Sequence, residues 1–328
     1  MFPEDTVRYG NKQVPVIGKM NIGRREYCLL KKTSHGDRQQ FLACEKHPGF
    51  QGDFRQIVVL PRKAASRQHL AVLRRLSYGN PNLPTILECR RQGEELIVIT
   101  TWAHGRDLQS RSENTKISRP SPTEVMRLYR GLAHGLSQMY RHAKVIHGDI
   151  NPANLILAEK SSRLVMIDFG SAWMMEKTVR RDDGDGDTKH FAAPELLMQK
   201  PGVDFRADQF SASAVAYWML AGKPPYGGIG GLAGTPEYRD LYEPLYQPPS
   251  RVSPFRKQIP KRIWRRIDEV LNKALALDAN RRYQSSHLWL DDLEDLNCEI
   301  RQHERLSRAD HLLFRFFRWL KNWKCPCR

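Results

Sequence analysis

The stretch His147-Gly148-Asp149-Ile150-Asn151-Pro152-Ala153-Asn154, followed fourteen residues after its last member by Asp168-Phe169-Gly170, constrains this chain more than any other feature. Strand-like apolar runs flank the two segments, Leu155-Ile156-Leu157 after the first and Leu164-Val165-Met166-Ile167 before the second. Asp149 can orient a hydroxyl and accept its proton. Asn154 offers a neutral amide oxygen and Asp168 a charged carboxylate, both hard ligands suited to Mg²⁺. Taken singly, each could be a loop residue satisfying turn backbone. Three such groups in register, at this spacing, weigh against that reading.

Together the segments resemble the catalytic and metal-binding loops of protein kinases. Thr188-Lys189-His190-Phe191-Ala192-Ala193-Pro194-Glu195 resembles the family's T-x-x-Y-x-A-P-E, with Phe191 for Tyr, and Ala207-Asp208-Gln209-Phe210-Ser211-Ala212-Ser213 its D-x-[YF]-S-x-G helix. Leu277-Asp278-Ala279-Asn280-Arg281-Arg282-Tyr283-Gln284-Ser285 resembles the closing D-P-x-x-R-Y-x-S of bacterial Hanks-type (eukaryotic-like) Ser/Thr protein kinases. The resemblance runs from about residue 25 to about 297. It implies an α+β, two-lobed protein-kinase fold, with a small antiparallel β N-lobe and a mainly helical C-lobe. It also implies ATP and Mg²⁺ as cofactors and phosphoryl transfer to protein hydroxyls.

By that resemblance, Asp149 is the catalytic base, with Asn151 beside it and Thr188 contacting the loop and the substrate hydroxyl. Asn154 and Asp168 are the metal ligands. Thr100 is the gatekeeper, the backbone of Thr101 through Ala103 binds adenine, and Ile156 forms the floor under the base. His147 packs under the Asp168 loop, Asp208 accepts hydrogen bonds from catalytic-loop backbone, and Glu195 pairs with Arg282.

The departures are informative. Gly148 stands where many kinases have Arg, so no loop cation awaits a phosphorylated activation segment. Asn151 replaces a Lys, which removes positive charge near the γ-phosphate. Aligning Phe41 with the valine that ends the glycine-rich loop puts Ser34, Gly36 and Gln39 at its three glycines, so only Gly36 survives. In that register the phosphate-gripping Lys falls near Gln56. A second register reads Ala43-Cys44-Glu45-Lys46 as V-A-I-K and makes Lys46 the phosphate ligand, but it leaves too long a gap to the following helix. The helix expected over 62–76 holds no carboxylate, and the family's partner Glu would sit near His69. If the protein turns over ATP, Lys46 or Arg38 is the first candidate for the missing phosphate contact.

Three readings follow: an ATP- and Mg²⁺-dependent protein Ser/Thr kinase, a pseudokinase acting as nucleotide-binding scaffold or sensor, and a small-molecule kinase. The last rests only on Gly148 and Asn151.

The expected organisation is an N-terminal extension over 1–24 with one short strand, an N-lobe over 25–103, a C-lobe over 104–297 and a basic tail over 298–328. Strands are expected at 26–31, 41–44, 54–60, 85–89 and 95–101, and helices at 122–142, 206–221 and 261–277. Thr123 and Glu124 are read as a cap for the first of these three helices.

The net charge of +17 over 328 residues favours acidic partners or is simply a solvated basic surface. No zinc finger or other nucleic-acid signature accompanies it, so no specific nucleic acid is expected. The six cysteines, at 28, 44, 89, 298, 325 and 327, form no metal-binding pattern, and no signal-like or spanning segment is evident, so a cytoplasmic location is expected. Over 306–323 the tail reads as a basic amphipathic helix, a candidate contact with an acidic partner or with an anionic membrane at its inner face.

Overall fold

Apolar side chains recurring at every second position build the first third of the chain into strands. The computed structural model describes residues 6–9, 11–35, 38–47, 50–61, 64–76, 79–114, 118–159, 162–175 and 189–305. Thr6–Tyr9 (β1) and Lys12–Pro15 (β2) pair as a separate antiparallel hairpin. Gly18–Ile22 (β3), Arg25–His35 (β4), Arg38–His47 (β5), Phe50–Pro61 (β6), Ile86–Gln92 (β7) and Glu95–Thr101 (β8) form one antiparallel sheet in the order β3-β4-β5-β6-β8-β7. The helix Ala64–Leu76 (α1) connects β6 to the segment before β7.

The two faces of this sheet have different neighbours. Tyr27, Leu29, Phe41, Ala43, Ile57, Val59, Ile97 and Ile99 form one apolar cluster. On the opposite face, Leu60, Leu96 and Val98 pack against Leu70 and Leu73 of α1. Cys28, Leu30 and Cys44 are covered there by Val7 of β1, with Leu42 and Phe54 at the margin. The helix and the β1–β2 hairpin therefore share one face of the sheet.

Two expectations change. The segment 1–24, expected to hold one short strand, contributes three, and β3 is an edge of the main sheet. Pro61 is the last residue of β6, and the helix expected over 62–76 is Ala64–Leu76. Phe41 points to the face away from α1, whereas its neighbour Leu42 pairs directly with Gln56.

The C-lobe begins with Gly105–Asp107 (β9) and Leu108–Glu113 (α2), whose N-cap Asp107 accepts from the Ser110 amide at 2.7 Å. Pro122–Gln138 (α3) starts with a capping box in which Ser121, not Thr123, is the N-cap and Glu124 reaches back to the Ser121 amide. Val145–Ile146 (β10), Leu155–Ala158 (β11), Leu164–Met166 (β12) and Trp173–Met174 (β13) are short strands, and β11 pairs with both β12 and β9. Pro194–Leu197 (α4) and the largely buried Phe205–Ala221 (α5) follow. Next come Arg239–Tyr242 (α6), Pro249–Val252 (α7), Lys261–Ala274 (α8) and Ser286–Arg305 (α9). Helix α9 runs through 298 without a break, so the first residues of the expected tail continue a helix that buries Leu293, Leu296 and Ile300. The proposed amphipathic segment over 306–323 lies outside the described residues.

One core unites α3, α5, α8 and α9 and includes Val72 and Leu76 from α1. Burying side chains of that size contributes roughly 1.5–3 kcal/mol each, so α1 is fastened to both lobes. No described helix is long and apolar enough to cross a membrane.

Candidate active site

The catalytic segment is a tight turn between β10 and β11 in which Asp149, Asn151 and Asn154 are hydrogen-bonded to one another. Asp149 Oδ1 accepts from Asn151 Nδ2 at 2.9 Å, and its Oδ2 accepts from Asn154 Nδ2 at 2.8 Å. Asn151 Oδ1 in turn accepts the amides of Ala153 and Asn154 and so caps the short 3₁₀ turn Pro152–Asn154. Asn151 is buried and turned inward. Expected beside the γ-phosphate, it is instead the brace that fixes the Asp149 carboxylate. Two donors holding both oxygens set the carboxylate's direction before any substrate arrives.

The Ile167 amide donates to the Asn154 carbonyl at 3.0 Å, and this backbone bond draws Asp168 alongside the catalytic turn. Asp168 has φ 59°, ψ 82°, a left-handed conformation costly for a non-glycine residue, and its Oδ1 accepts from the Gly170 amide at 3.0 Å. Asn154 spends its N–H groups on Asp149, which leaves its Oδ1 as the acceptor end. An amide oxygen and a carboxylate brought together by that bond fit the hard-donor chemistry of Mg²⁺.

Below the turn, Asp208 is buried on α5 and accepts the amides of His147 at 2.8 Å and Gly148 at 2.7 Å. Gly148 has φ 72°, a conformation that a side chain would strain. His147 has no solvent exposure and lies against Phe169, with ring centroids 4.8 Å apart. Its Nδ1 accepts from the Asp149 amide and its Nε2 lies 3.2 Å from the Ile167 carbonyl, which fixes the Nε2–H tautomer. Further down, Arg282 makes a bidentate pair with Glu195 at 2.6 and 2.9 Å. It also donates to the carbonyls of Ala276, Arg206 and Leu277.

The upper side differs. Gln56 is paired with Leu42 on β5 and with Thr100 on β8, so the three share one face, and Gln56 Nε2 donates to Gln40 Oε1 at 3.3 Å. Gln56, Gln40, Val58, Thr100, Leu73, Leu76, Asp168 and Phe169 line a cavity of about 50 Å³ between the sheet, α1 and the Asp168 loop. Gln56 thus occupies the place that the first register gave it. Lys46 does not: it lies near the β5–β6 turn, about six residues or roughly 20 Å of strand from Gln40, in an exposed pair with Glu26 at 3.2 Å. The second register fails for that reason. Gly36 and Thr188 lie outside the described residues, as do the side chains of Arg38 and His69.

The chain leaves β8 through Thr101, Trp102 and Ala103. Thr101 is tied to Thr85 by two bonds of 2.9 Å, and Ile156 on β11 pairs with Asp107 beneath this segment. Tyr9 of the hairpin packs here, its Oη accepting from Trp102 Nε1 at 2.8 Å. Its ring meets Phe54 edge-on at 4.8 Å and stacks on His104 at 5.9 Å. Sequence reasoning missed Tyr9, Phe54 and Gln40. Phe54 could have been found as the residue two before Gln56 on the same strand face; nothing in a four-residue strand marks Tyr9.

A sheet-and-helix lobe over a helical lobe, with these loops at their junction, is the architecture of a protein kinase. The sequence profile of the protein kinase domain matches residues 53–292, and the chain belongs to that family. It is 29% identical over 231 residues to a probable serine/threonine-protein kinase PknB of Bifidobacterium longum, covering 66% of this chain and 31% of that one. It is 28% identical over 259 residues to serine/threonine-protein kinase PknI of Mycobacterium bovis, covering 76% and 38%. The matched regions thus span about a third of these relatives. Among solved structures, the kinase domain of Mycobacterium tuberculosis PknI superposes with a TM-score of 0.56 at 21% identity, covering 82% of this chain and 96% of that one. The kinase PK-1 of Cydia pomonella granulovirus gives 0.62 at 18%, covering 81% and 92%. At these identities the structures establish the fold.

Proposed function

We propose that this chain is an ATP- and Mg²⁺-dependent protein serine/threonine kinase. The observation that carries the reading is the Asp149 carboxylate, held at both oxygens by Asn151 and Asn154 and joined to Asp168 through the Ile167–Asn154 backbone bond. ATP would lie between the lobes, with adenine against the backbone of Thr101 through Ala103 and above Ile156. A substrate hydroxyl then attacks the γ-phosphorus, the bond to the β,γ-bridging oxygen breaks, and ADP departs. Asp149 orients the hydroxyl and takes its proton late in the step. Asn154 Oδ1 and the Asp168 carboxylate would hold Mg²⁺, which supplies charge neutralisation at the phosphates. Asp208 acts through the backbone of His147 and Gly148 to keep the turn in place.

Incubation with γ-labelled ATP and a generic protein acceptor tests this. Transfer by the wild type and a loss of about 10²–10⁴-fold in Asp149→Ala support the reading. Equal transfer by the two proteins would reject it.

The pseudokinase reading has one specific observation in its favour, the neutral Gln56–Gln40 pair where the resemblance implies a lysine. The small-molecule-kinase reading loses ground, because Gly148 and Asn151 both have local structural reasons in this turn.

A further inference from the structure

Opposed residues of antiparallel neighbours lie on the same face, and so do residues two apart on one strand. Thr100, Gln56 and Leu42 are opposed in this way, and Phe54 is two residues from Gln56. This face therefore continues from the cavity behind Thr100 forward to Leu42 and Phe54, toward the connection at 101–103. It is the underside of the N-lobe, where a nucleotide base would have to lie. The hairpin covers that surface: Val7, with Val14 and Val16, packs against Leu30, Leu42, Cys44 and Phe54. Tyr9 extends the cover onto the connection itself through Trp102, His104 and Phe54.

We infer that the β1–β2 hairpin is a strap over the base-binding end of the cleft, with Tyr9 as its latch, and that a nucleotide enters only when the strap lifts. This rests on the proposed location of the nucleotide, not on turnover. The latch is weak enough to release. It is one neutral hydrogen bond and two ring contacts. Only the fraction of molecules with an open strap can bind, so the apparent dissociation constant is raised by the inverse of that fraction.

Calorimetric titration of the full chain with Mg·ATP tests the strap, comparing wild type with Tyr9→Phe, which keeps the ring, and Tyr9→Ala. Affinity should rise modestly in Tyr9→Phe and roughly tenfold or more in Tyr9→Ala. A second readout needs no nucleotide. Cys28 and Cys44 lie under Val7, so Tyr9→Ala should speed their alkylation relative to the wild type, with exposed Cys298 as the internal reference. Unchanged or weakened affinity in Tyr9→Ala would overturn the inference, and so would alkylation equal in the two proteins or failure of both to bind nucleotide. Tighter binding by Tyr9→Ala with no label transfer would leave the strap standing and reject the kinase reading instead.

Discussion

The two sides of the cleft have diverged to different degrees. On the lower side, the Asp149 carboxylate and the Asn151 and Asn154 amides of the catalytic turn hydrogen-bond to one another, and the supports beneath them are buried and charge-assisted. On the upper side, a neutral glutamine pair lies at the expected lysine position, α1 carries no carboxylate, and a hairpin lies over the surface proposed to receive the base. A reaction that depends on placing one carboxylate and two metal ligands tolerates little change in those groups. Gripping a nucleotide spreads its energy over many contacts and can be rebuilt. The contrast predicts that damage below abolishes chemistry or folding, whereas damage above shifts affinity.

The largest effect is expected low in the C-lobe. Arg282 is a fully buried cation with a bidentate partner, so Glu195→Ala should destabilise the protein by about 3–5 kcal/mol in denaturant unfolding. The exposed Lys46–Glu26 pair is the matched control, and Lys46→Ala should cost no more than about 1 kcal/mol. Comparable losses in the two variants would erase the contrast.

Next is Asp208→Ala, which strands two buried amides at a cost of about 1–3 kcal/mol each. It should lower label transfer well before it unfolds the chain, as followed by paired activity and circular dichroism. Gln56→Ala should leave Mg·ATP affinity within roughly threefold, under 1 kcal/mol, in the same calorimetric titration. A far larger loss would make Gln56 a true substitute for the lysine.

Burial pushes the Cys44 thiol up to about 11. Its reactive thiolate is therefore scarce at pH 8, so in the absence of nucleotide Cys44 alkylation should be slow there and accelerate as pH rises toward 11. The smallest effect is expected at the α3 cap. Hydrogen bonds from Ser121 hold the Glu124 carboxyl below its usual range. Its stabilisation is therefore present above the ordinary carboxylate pKa and lost as pH falls through the lowered folded value. Glu124→Gln should flatten that acid limb in pH-dependent unfolding by removing a small stabilisation at pH 7, so the two proteins converge at low pH.

What the sequence made legible follows the same division. Asp149, Asn154, Asp168, Asp208, Glu195 and Arg282 could be picked out because their chemistry is carried by residue type and spacing. The inward turn of Asn151 was hidden, since a side chain that caps its own loop looks the same in sequence as one that faces a substrate. In the sheet, a shift of one residue exchanges faces, so the alignment anchored on Phe41 could not show that Leu42, not Phe41, lies on the face that carries Gln56. The strap was illegible because β1 and β2 are four-residue strands, too short for alternation to register, and their significance comes from Trp102 and His104 almost a hundred residues away. The position of Lys46 was settled only by strand pairing, which ruled out the register that favoured it.

The central claim is that the lower side performs the chemistry and the upper side governs access. Steady-state transfer of the γ-phosphoryl group, read as kcat and KM for ATP in wild type, Asp149→Asn and Tyr9→Ala, separates the two most directly. The account predicts a fall in kcat of about 10²–10⁴-fold with little change in KM for Asp149→Asn, and a lowered KM at unchanged kcat for Tyr9→Ala. An Asp149→Asn protein that keeps its kcat would contradict it.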